Sequence, residues 1–140
     1  MYRILSHTAD IGLEIAADSL EELFREAARG WKHLVLEHSP TRSQEEQSLR
    51  LASRDLDDLL VRWLGELNFR LCTRFWVLHQ VEALHLSPRG EQWHLRARLS
   101  GEAFDPARHN IHFEIKAVTY HQLHIEQENG TFRTRVIFDI

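Results

Sequence analysis

Residues 55–71, DLDDLLVRWLGELNFRL, decide the fold class. The leucines and the tryptophan of this stretch recur three and four positions apart, which is the spacing of one face of an α-helix. Asp55 comes just before the first leucine and is suited to cap the helix. On the opposite face, Asp58 and Arg62 stand at the i,i+4 spacing of a helical ion pair. The stretch therefore predicts an amphipathic helix.

A second amphipathic helix is predicted upstream of the first. Ser19 and Glu22 form a capping box, and apolar residues follow at helical spacing as far as Val35. Residues 37–47, EHSPTRSQEEQ, combine proline, serine and charged residues and predict an exposed loop. We expect a strand near residues 48–52, between this loop and the downstream helix.

The remaining segments follow the two-residue period of β-strands. After residue 74, apolar residues 93, 95, 97 and 99 alternate with polar ones, and the turn signals SPRGEQ, FDPARHN and ENG divide this half into four strand segments. One of these segments has Ile111, Phe113, Ile115 and Ala117 on its apolar phase. Two short strands, YRIL and IGLEIAA, precede the upstream helix. The sequence thus predicts one α+β domain over residues 1–140, with a mostly antiparallel β-sheet and two amphipathic α-helices.

Composition narrows the class of protein. A hydrophobic content of 43% with 27% charged residues is typical of a globular domain and excludes an extended disordered chain. The sequence has no apolar run long enough to cross a bilayer and no signal-peptide layout, so we expect a cytoplasmic protein with no membrane contact. Cys72, the single cysteine, is expected to be a buried, inert thiol. The net charge of -4 argues against unaided capture of RNA.

The segment VIFDI, residues 136–140, is the most informative place for chemistry. Asp139 adjoins the α-carboxylate of Ile140, and such a pair of anions favours a hard divalent cation such as calcium, magnesium or manganese. Asp10, at the polar entrance to a strand, is a candidate for a third carboxylate. The sequence alone does not show whether residue 10 lies beside residue 139 in the fold. The alternative is that Asp139 pairs with Arg135 and that Asp10 caps a turn.

The ten histidines raise the alternative of zinc. His121 and His124 are three residues apart on a predicted strand and so point to opposite faces, whereas His109 and His112 lie near a loop where they can converge. His7 is close to Asp10, where it can either bind a metal or orient that carboxylate. For each histidine the structural role is the favoured interpretation.

The usual local motifs of catalysis are missing. The sequence has no phosphate-cradling glycine loop, no paired-cysteine zinc signature and no Gly-x-Ser-x-Gly elbow, so we expect a protein that is not an enzyme. A hydrolase that uses Asp10 and Asp139 as acid and base is the least favoured alternative. Lys116 falls on the polar phase with Glu114, where an exposed ion pair is the default interpretation.

Four segments together resemble the archease family. They are SHTADIGLEIAADSLEELF, RWLGEL, EIKAVTYHQLHI and VIFDI, in that order, and the resemblance covers nearly the whole chain. It implies an archease-like fold and a metal site formed by Asp10, Asp139 and Ile140. It also implies a contact of Lys116 with a partner or its nucleotide. Two positions depart from the family pattern: Ser6 stands where an acidic residue is frequent, and Asp18 stands where a glycine is common.

The resemblance implies a role as an accessory protein of an RtcB-type RNA ligase. Such ligases join a 3′-phosphate or cyclic phosphate to a 5′-hydroxyl in tRNA splicing and RNA repair, and archeases promote their guanylylation and multiple turnover. The implied cofactor is a divalent metal ion, calcium first, with magnesium, manganese or zinc as alternatives, and the implied contact with RNA is indirect, through the ligase. The rival interpretation is a metal-stabilised chaperone or interaction module that acts on RNA-modifying enzymes such as methyltransferases.

Overall fold

Two antiparallel β-sheets and two α-helices make up the fold. The computed structural model describes residues 1–6 and 10–140. Its elements in chain order are β1 (Tyr2–Ser6), β2 (Asp10–Ala17), α1 (Leu20–Leu36), β3 (Glu45–Ser53), α2 (Leu56–Cys72), β4 (Trp76–Arg89), β5 (Gln92–Ala103), β6 (Ala117–Thr119), β7 (Glu126–Glu128) and β8 (Thr131–Asp139). The predicted α+β class, with antiparallel strands and two helices, is confirmed.

The larger sheet places the last strand in its middle. Its order is β1-β2-β8-β6, and β7 pairs with another part of β8. The smaller sheet has the order β3-β5-β4, so that β5 is its central strand. Because β2 and β8 run antiparallel, the beginning of β2 lies beside the end of β8. Residues 10 and 139, far apart in the sequence, are thereby brought together.

Both helices begin where the sequence predicts. The Ser19 hydroxyl accepts a hydrogen bond from the backbone N–H of Glu22 at 3.1 Å. The Asp55 carboxylate accepts one from the backbone N–H of Asp57 at 2.7 Å. These bonds satisfy backbone donors that have no partner within a helix, so they fix the point at which each helix begins.

One hydrophobic core joins the sheets and the helices. The inward residues of β2, namely Ile11, Leu13 and Ile15, are at most 2% exposed, and they meet the apolar face of α1. The two helices also contact each other through their tryptophans. The Trp63 indole donates to the carbonyl of Phe24 at 2.9 Å, and the Trp31 indole donates to the side chain of Asn68 at 3.2 Å. Each buried indole therefore has a hydrogen-bond partner.

The predicted strand segment between the turn signals FDPARHN and ENG is mostly wrong. Two short strands form there instead, Ala117–Thr119 and Glu126–Glu128. Between them, the Tyr120 hydroxyl donates to Asp58, and Asp57 accepts a hydrogen bond from the backbone N–H of Ile125 at 2.9 Å. These bonds to the first turn of α2 compete with strand pairing, so the segment turns toward the helix. The C-terminal half therefore has five strands and not four.

The expected burial of Cys72 is also wrong, because this residue is exposed at the end of α2. Partial desolvation of the thiol by neighbouring atoms, and secondly the charge of Glu114, raise its pKa above the ordinary value. The thiolate form that reacts is therefore disfavoured. Neither helix in the described part of the chain has the length and apolarity needed to span a membrane.

Candidate metal centre

Asp10 and Asp139 lie directly opposite each other on neighbouring strands. Asp10 is the first residue of β2 and Asp139 the last of β8, and their Cα atoms are register partners. In an antiparallel pair, directly opposed residues have their side chains on the same face, with Cα atoms about 4.5–5.5 Å apart. The strand pairing therefore supplies the proximity that sequence spacing alone does not.

The two carboxylates lack a counter-charge among the described residues. Neither Asp10 nor Asp139 forms an ion pair with a residue that the structure describes, and the Oδ1 atom of Asp10 is buried without a hydrogen-bond partner there. The alternative pairing of Asp139 with Arg135 is wrong, since the Arg135 guanidinium lies 2.8 Å from Glu14. Hydrogen bonds from Arg135, and then from Arg3, lower the pKa of Glu14. The charge of Arg135 is thus satisfied elsewhere.

The end of β8 is held on both sides. Its Phe138 side chain is completely buried, and Ile140 packs partly buried against the core. On the other side, Ala117 of β6 is the register partner of Asp139, and the backbone N–H of Lys116 donates to the Asp139 carbonyl at 2.8 Å. The residue that bears the third predicted ligand, the α-carboxylate of Ile140, is therefore anchored next to Asp139.

Lys116 lies beside this group of acids. It directly precedes the register partner of Asp139, and its side chain is exposed. The default interpretation, an ion pair of Lys116 with Glu114, is wrong, because no such pair forms. The pairing therefore fixes the backbone of Lys116 at the same end of β8 as the two carboxylates.

The donors at this edge fit a hard divalent cation. A buried carboxylate oxygen that has no partner among residues 1–6 and 10–140, opposite a second carboxylate, is an arrangement that a cation would neutralise. Within residues 1–6 and 10–140, no group of three or more His, Cys, Asp or Glu side chains is placed to hold a metal. The other predicted donors are the terminal carboxylate of Ile140 and the side chain of His7, and His7 lies outside the described residues.

The other histidines considered as ligands do not converge. His109 is buried, its Nε2 atom 3.4 Å from Glu102, and its Nδ1 atom accepts a hydrogen bond from the backbone N–H of Asp105 at 2.9 Å. His112 is exposed, with its Nδ1 atom 3.6 Å from Glu37. His124 is likewise exposed, 3.2 Å from Asp57. These contacts are structural ones, and they hold loops against strands and helices.

The comparison with known proteins agrees with the fold. The family model described as "Archease protein family (MTH1598/TM1083)" matches residues 2–140. The chain is 34% identical to a protein archease of Methanopyrus kandleri over 97% of this chain and 96% of the relative. It is 32% identical to a protein archease of Methanosarcina mazei, over 99% of this chain and 95% of the relative.

Two solved structures are similar over nearly their whole length. The solution structure of Methanobacterium thermoautotrophicum protein 1598 has a TM-score of 0.84 at 29% identity, covering 99% of this chain and 98% of the other. The crystal structure of a Thermotoga maritima archease, described as a possible chaperone, has a TM-score of 0.58 at 25% identity, covering 100% of this chain and 98% of the other. With a family model that spans the chain and relatives alike in both sequence and fold, this chain belongs to the archease family.

Proposed function

We propose that this chain is a non-catalytic accessory protein that activates an RtcB-type RNA ligase. In this proposal it promotes guanylylation and repeated turnover of the ligase during tRNA splicing or RNA repair. The observation that carries the proposal is the pair of opposed carboxylates, Asp10 and Asp139, without a counter-charge among the described residues. Family membership supports the choice of partner.

The acidic edge is suited to present a cation to a phosphate-bearing partner. Asp10, Asp139 and the α-carboxylate of Ile140 would hold the ion, for which calcium is our first choice and magnesium, manganese and zinc are alternatives. A divalent cation bound there would supply charge that offsets negative charge on phosphate oxygens during nucleotidyl transfer. His7 is proposed either to add a nitrogen ligand or to orient Asp10.

The exposed side chains at this edge are available to contact a partner. Lys116 is exposed beside the carboxylates, and its mobile ammonium group is suited to contact a phosphate or an acidic group of the ligase. Asp139 is exposed and Asp10 partly buried, so the edge is accessible to a second protein. RNA would then be reached through the ligase.

A metal-stabilised chaperone or interaction module is the second candidate. The Thermotoga maritima relative is described as a possible chaperone, which favours it. The chain also exposes two phenylalanines near the end of α2, Phe69 at 42% and Phe75 at 63%. Exposed aromatic side chains are enriched in surfaces that bind other proteins. In this alternative the metal has a structural role, and the clients are RNA-modifying enzymes such as methyltransferases.

A ligase assay separates the two candidates. The protein is mixed in substoichiometric amounts with RtcB-type ligase, GTP, divalent metal and RNA with a 3′-phosphate, and both covalent ligase–GMP and ligated RNA are followed. We expect stimulation over many turnovers. In the Asp10→Ala and Asp139→Ala variants, stimulation of the ligase should fall at least about tenfold, since each variant removes a proposed metal ligand. No stimulation by the unaltered protein would favour the chaperone.

Matched variants make the result specific to the acidic edge. Asp18→Ala removes an exposed aspartate just beyond the other end of β2 and should leave stimulation unchanged. Addition of one glycine after Ile140 moves the terminal carboxylate and should impair calcium binding in isothermal titration calorimetry as well as stimulation. Full activity of correctly folded Asp10→Ala and Asp139→Ala proteins would refute the carboxylate mechanism. Lys116→Ala tests the remaining contact in the same assay.

A further inference from the structure

The outer face of the small sheet carries an arginine-rich surface that the proposed function does not use. This basic sheet face consists of Arg50 on β3, His85 and Arg89 on β4, and His94, Arg96 and Arg98 on β5. Their sequence neighbours on the opposite phase, such as Leu49, Leu84 and Leu95, are buried in the core. The six basic side chains therefore point away from the core on one side of the sheet.

The basic charges are placed against one another. Arg50 and Arg96 are direct register partners, and His85 is the partner of Arg96 on its other side. Like charges directly opposite each other on neighbouring strands are destabilising. Neither Arg50 nor Arg96 forms an ion pair with any residue in the described ranges. The pairing of Arg50 with Arg96 therefore costs stability, and no ion pair within the described part of the chain offsets it.

Acidic residues contact two of the six residues of this face. Glu46 lies 3.6 Å from Arg98, and Glu21 lies 3.8 Å from His85. Two shallow depressions of about 210 Å³ and about 310 Å³ lie between the strands, and Arg50 and Arg96 line both of them. No acidic side chain lines either depression, whereas Ser87 contributes to the first and Ser48 to the second. Each depression is thus lined by hydrogen-bond donors beside positive charge.

We infer that the basic sheet face binds the phosphodiester backbone of a nucleic-acid strand. All but two of the 17 Lys and Arg residues of the chain are arginine, and the planar guanidinium group matches phosphate oxygens in a bidentate way. From residue 94 to residue 98 the face extends about 13 Å along β5. The face is therefore long enough to contact more than one phosphate of a strand.

The chemistry of the face favours a nucleic acid over an acidic protein. None of its six residues is a large apolar side chain, and stable protein interfaces usually have an apolar or aromatic centre. Trp93 is on the opposite phase and packs against the core, so it offers no platform for base stacking. Binding should therefore depend on the backbone and show little sequence preference. The inference goes beyond the proposed function, because it requires neither the ligase nor the acidic edge.

The test is fluorescence anisotropy with a labelled single-stranded RNA of mixed sequence, using the whole chain without ligase. We expect a dissociation constant of about 1–100 μM at physiological salt, and tighter binding at low salt. The double variant Arg50→Gln/Arg96→Gln should weaken binding at least about tenfold. It should also lower the slope of log affinity against log salt by about 1.4, the value for two lost phosphate contacts.

The control double variant Arg74→Gln/Arg133→Gln removes the same charge from other exposed positions and should change the affinity by less than about twofold. A second pair, Arg89→Gln/Arg98→Gln, repeats the test if the first does not fold. The inference is overturned if the unaltered protein does not bind RNA at low salt, or if both double variants lose affinity equally. It is also overturned if polyglutamate competes as well as RNA, which would indicate an acidic protein partner.

Discussion

The pair formed by Asp10 and Asp139 lowers the stability of the protein but supports its proposed activity. Directly opposed like charges destabilise a strand pair by about 0.2–1 kcal/mol. The strand register nevertheless places these two carboxylates side by side at the end of β8. A residue pair that costs stability at an exposed edge is typical of a site built for a ligand.

The Asp10→Asn variant should therefore be more stable than the unaltered protein when no divalent metal is present. We expect its free energy of unfolding to rise by as much as about 1 kcal/mol in EDTA, because the repulsion with Asp139 is removed. Added calcium should raise the melting temperature of the unaltered protein by mass action and leave that of the variant unchanged. Thermal unfolding with calcium and with EDTA measures both effects. An equal calcium response in Asp10→Asn would refute the metal site, and Asp18→Asn serves as the control.

At the scale of elements, the small sheet depends on the close approach of β4 to β5 at Gly101. A Cβ atom at residue 101 would lie 2.1 Å from the carbonyl oxygen of Val77 and 2.7 Å from the Trp76 ring. The register of β4 against β5 shifts between Leu78 and Gln80, next to this contact. The Trp76 indole in turn donates to Glu45 of β3 at 3.1 Å, so one glycine lets all three strands pack.

The Gly101→Ala variant should consequently be destabilised by about 1–3 kcal/mol or more, as for other overpacked cores. The new methyl group meets backbone that cannot turn aside as a flexible side chain can. The control is Gly65→Ala in α2, where a Cβ atom would meet nothing within 4 Å. It should stabilise by about 0.5–1 kcal/mol, because alanine is the better helix former. Urea unfolding measures the change in the free energy of unfolding of each variant. Two changes of the same sign would contradict the prediction.

For the whole molecule, hydrogen bonds and ion pairs to carboxylates make stability depend on pH. The pKa values of five carboxyl groups lie below their ordinary values: Glu14, Glu26, Asp58, Glu82 and Glu102. Burial acts to raise the pKa of Glu102. Hydrogen bonds from the Arg108 side chain and the Arg42 backbone N–H outweigh this effect and hold that pKa below 4.5. Glu102 joins β5 to the loop before β3, through Arg42, and to the loop after β5, through Arg108, so its charge connects distant parts of the fold.

The protein should lose stability as the pH falls. A carboxyl whose folded pKa is lowered contributes stability that is fully present above its unfolded pKa and is lost as pH falls through its folded pKa. The Glu102→Gln variant should be destabilised by about 3 kcal/mol at neutral pH, because it leaves Arg108 without its buried partner. The stability difference between the variant and the unaltered protein should shrink as the pH falls below 4.5, the ordinary pKa of glutamate. Urea unfolding between neutral pH and about pH 3 measures it. A difference that stays constant with pH would contradict the assignment.

Much of the fold was predictable from local patterns. Helical spacing and the caps at Ser19 and Asp55 predicted both helices, and two-residue alternation predicted most strands. The segment around residues 111–125 was not predictable in the same way. Its apolar alternation resembles a strand, but Asp57 and Asp58 bind the segment from across the fold and draw it into a turn.

The sequence by itself determined the fold class, the family and the identity of the candidate ligands, because spacing, capping and motifs are local properties of the chain. Only the tertiary structure decided that Asp10 faces Asp139 and that Arg50 faces Arg96. Both pairs join residues far apart in the chain, and strand register, which depends on how the whole core packs, brings them together. The net charge of -4 likewise conceals a basic face, since composition sums charges that the fold separates.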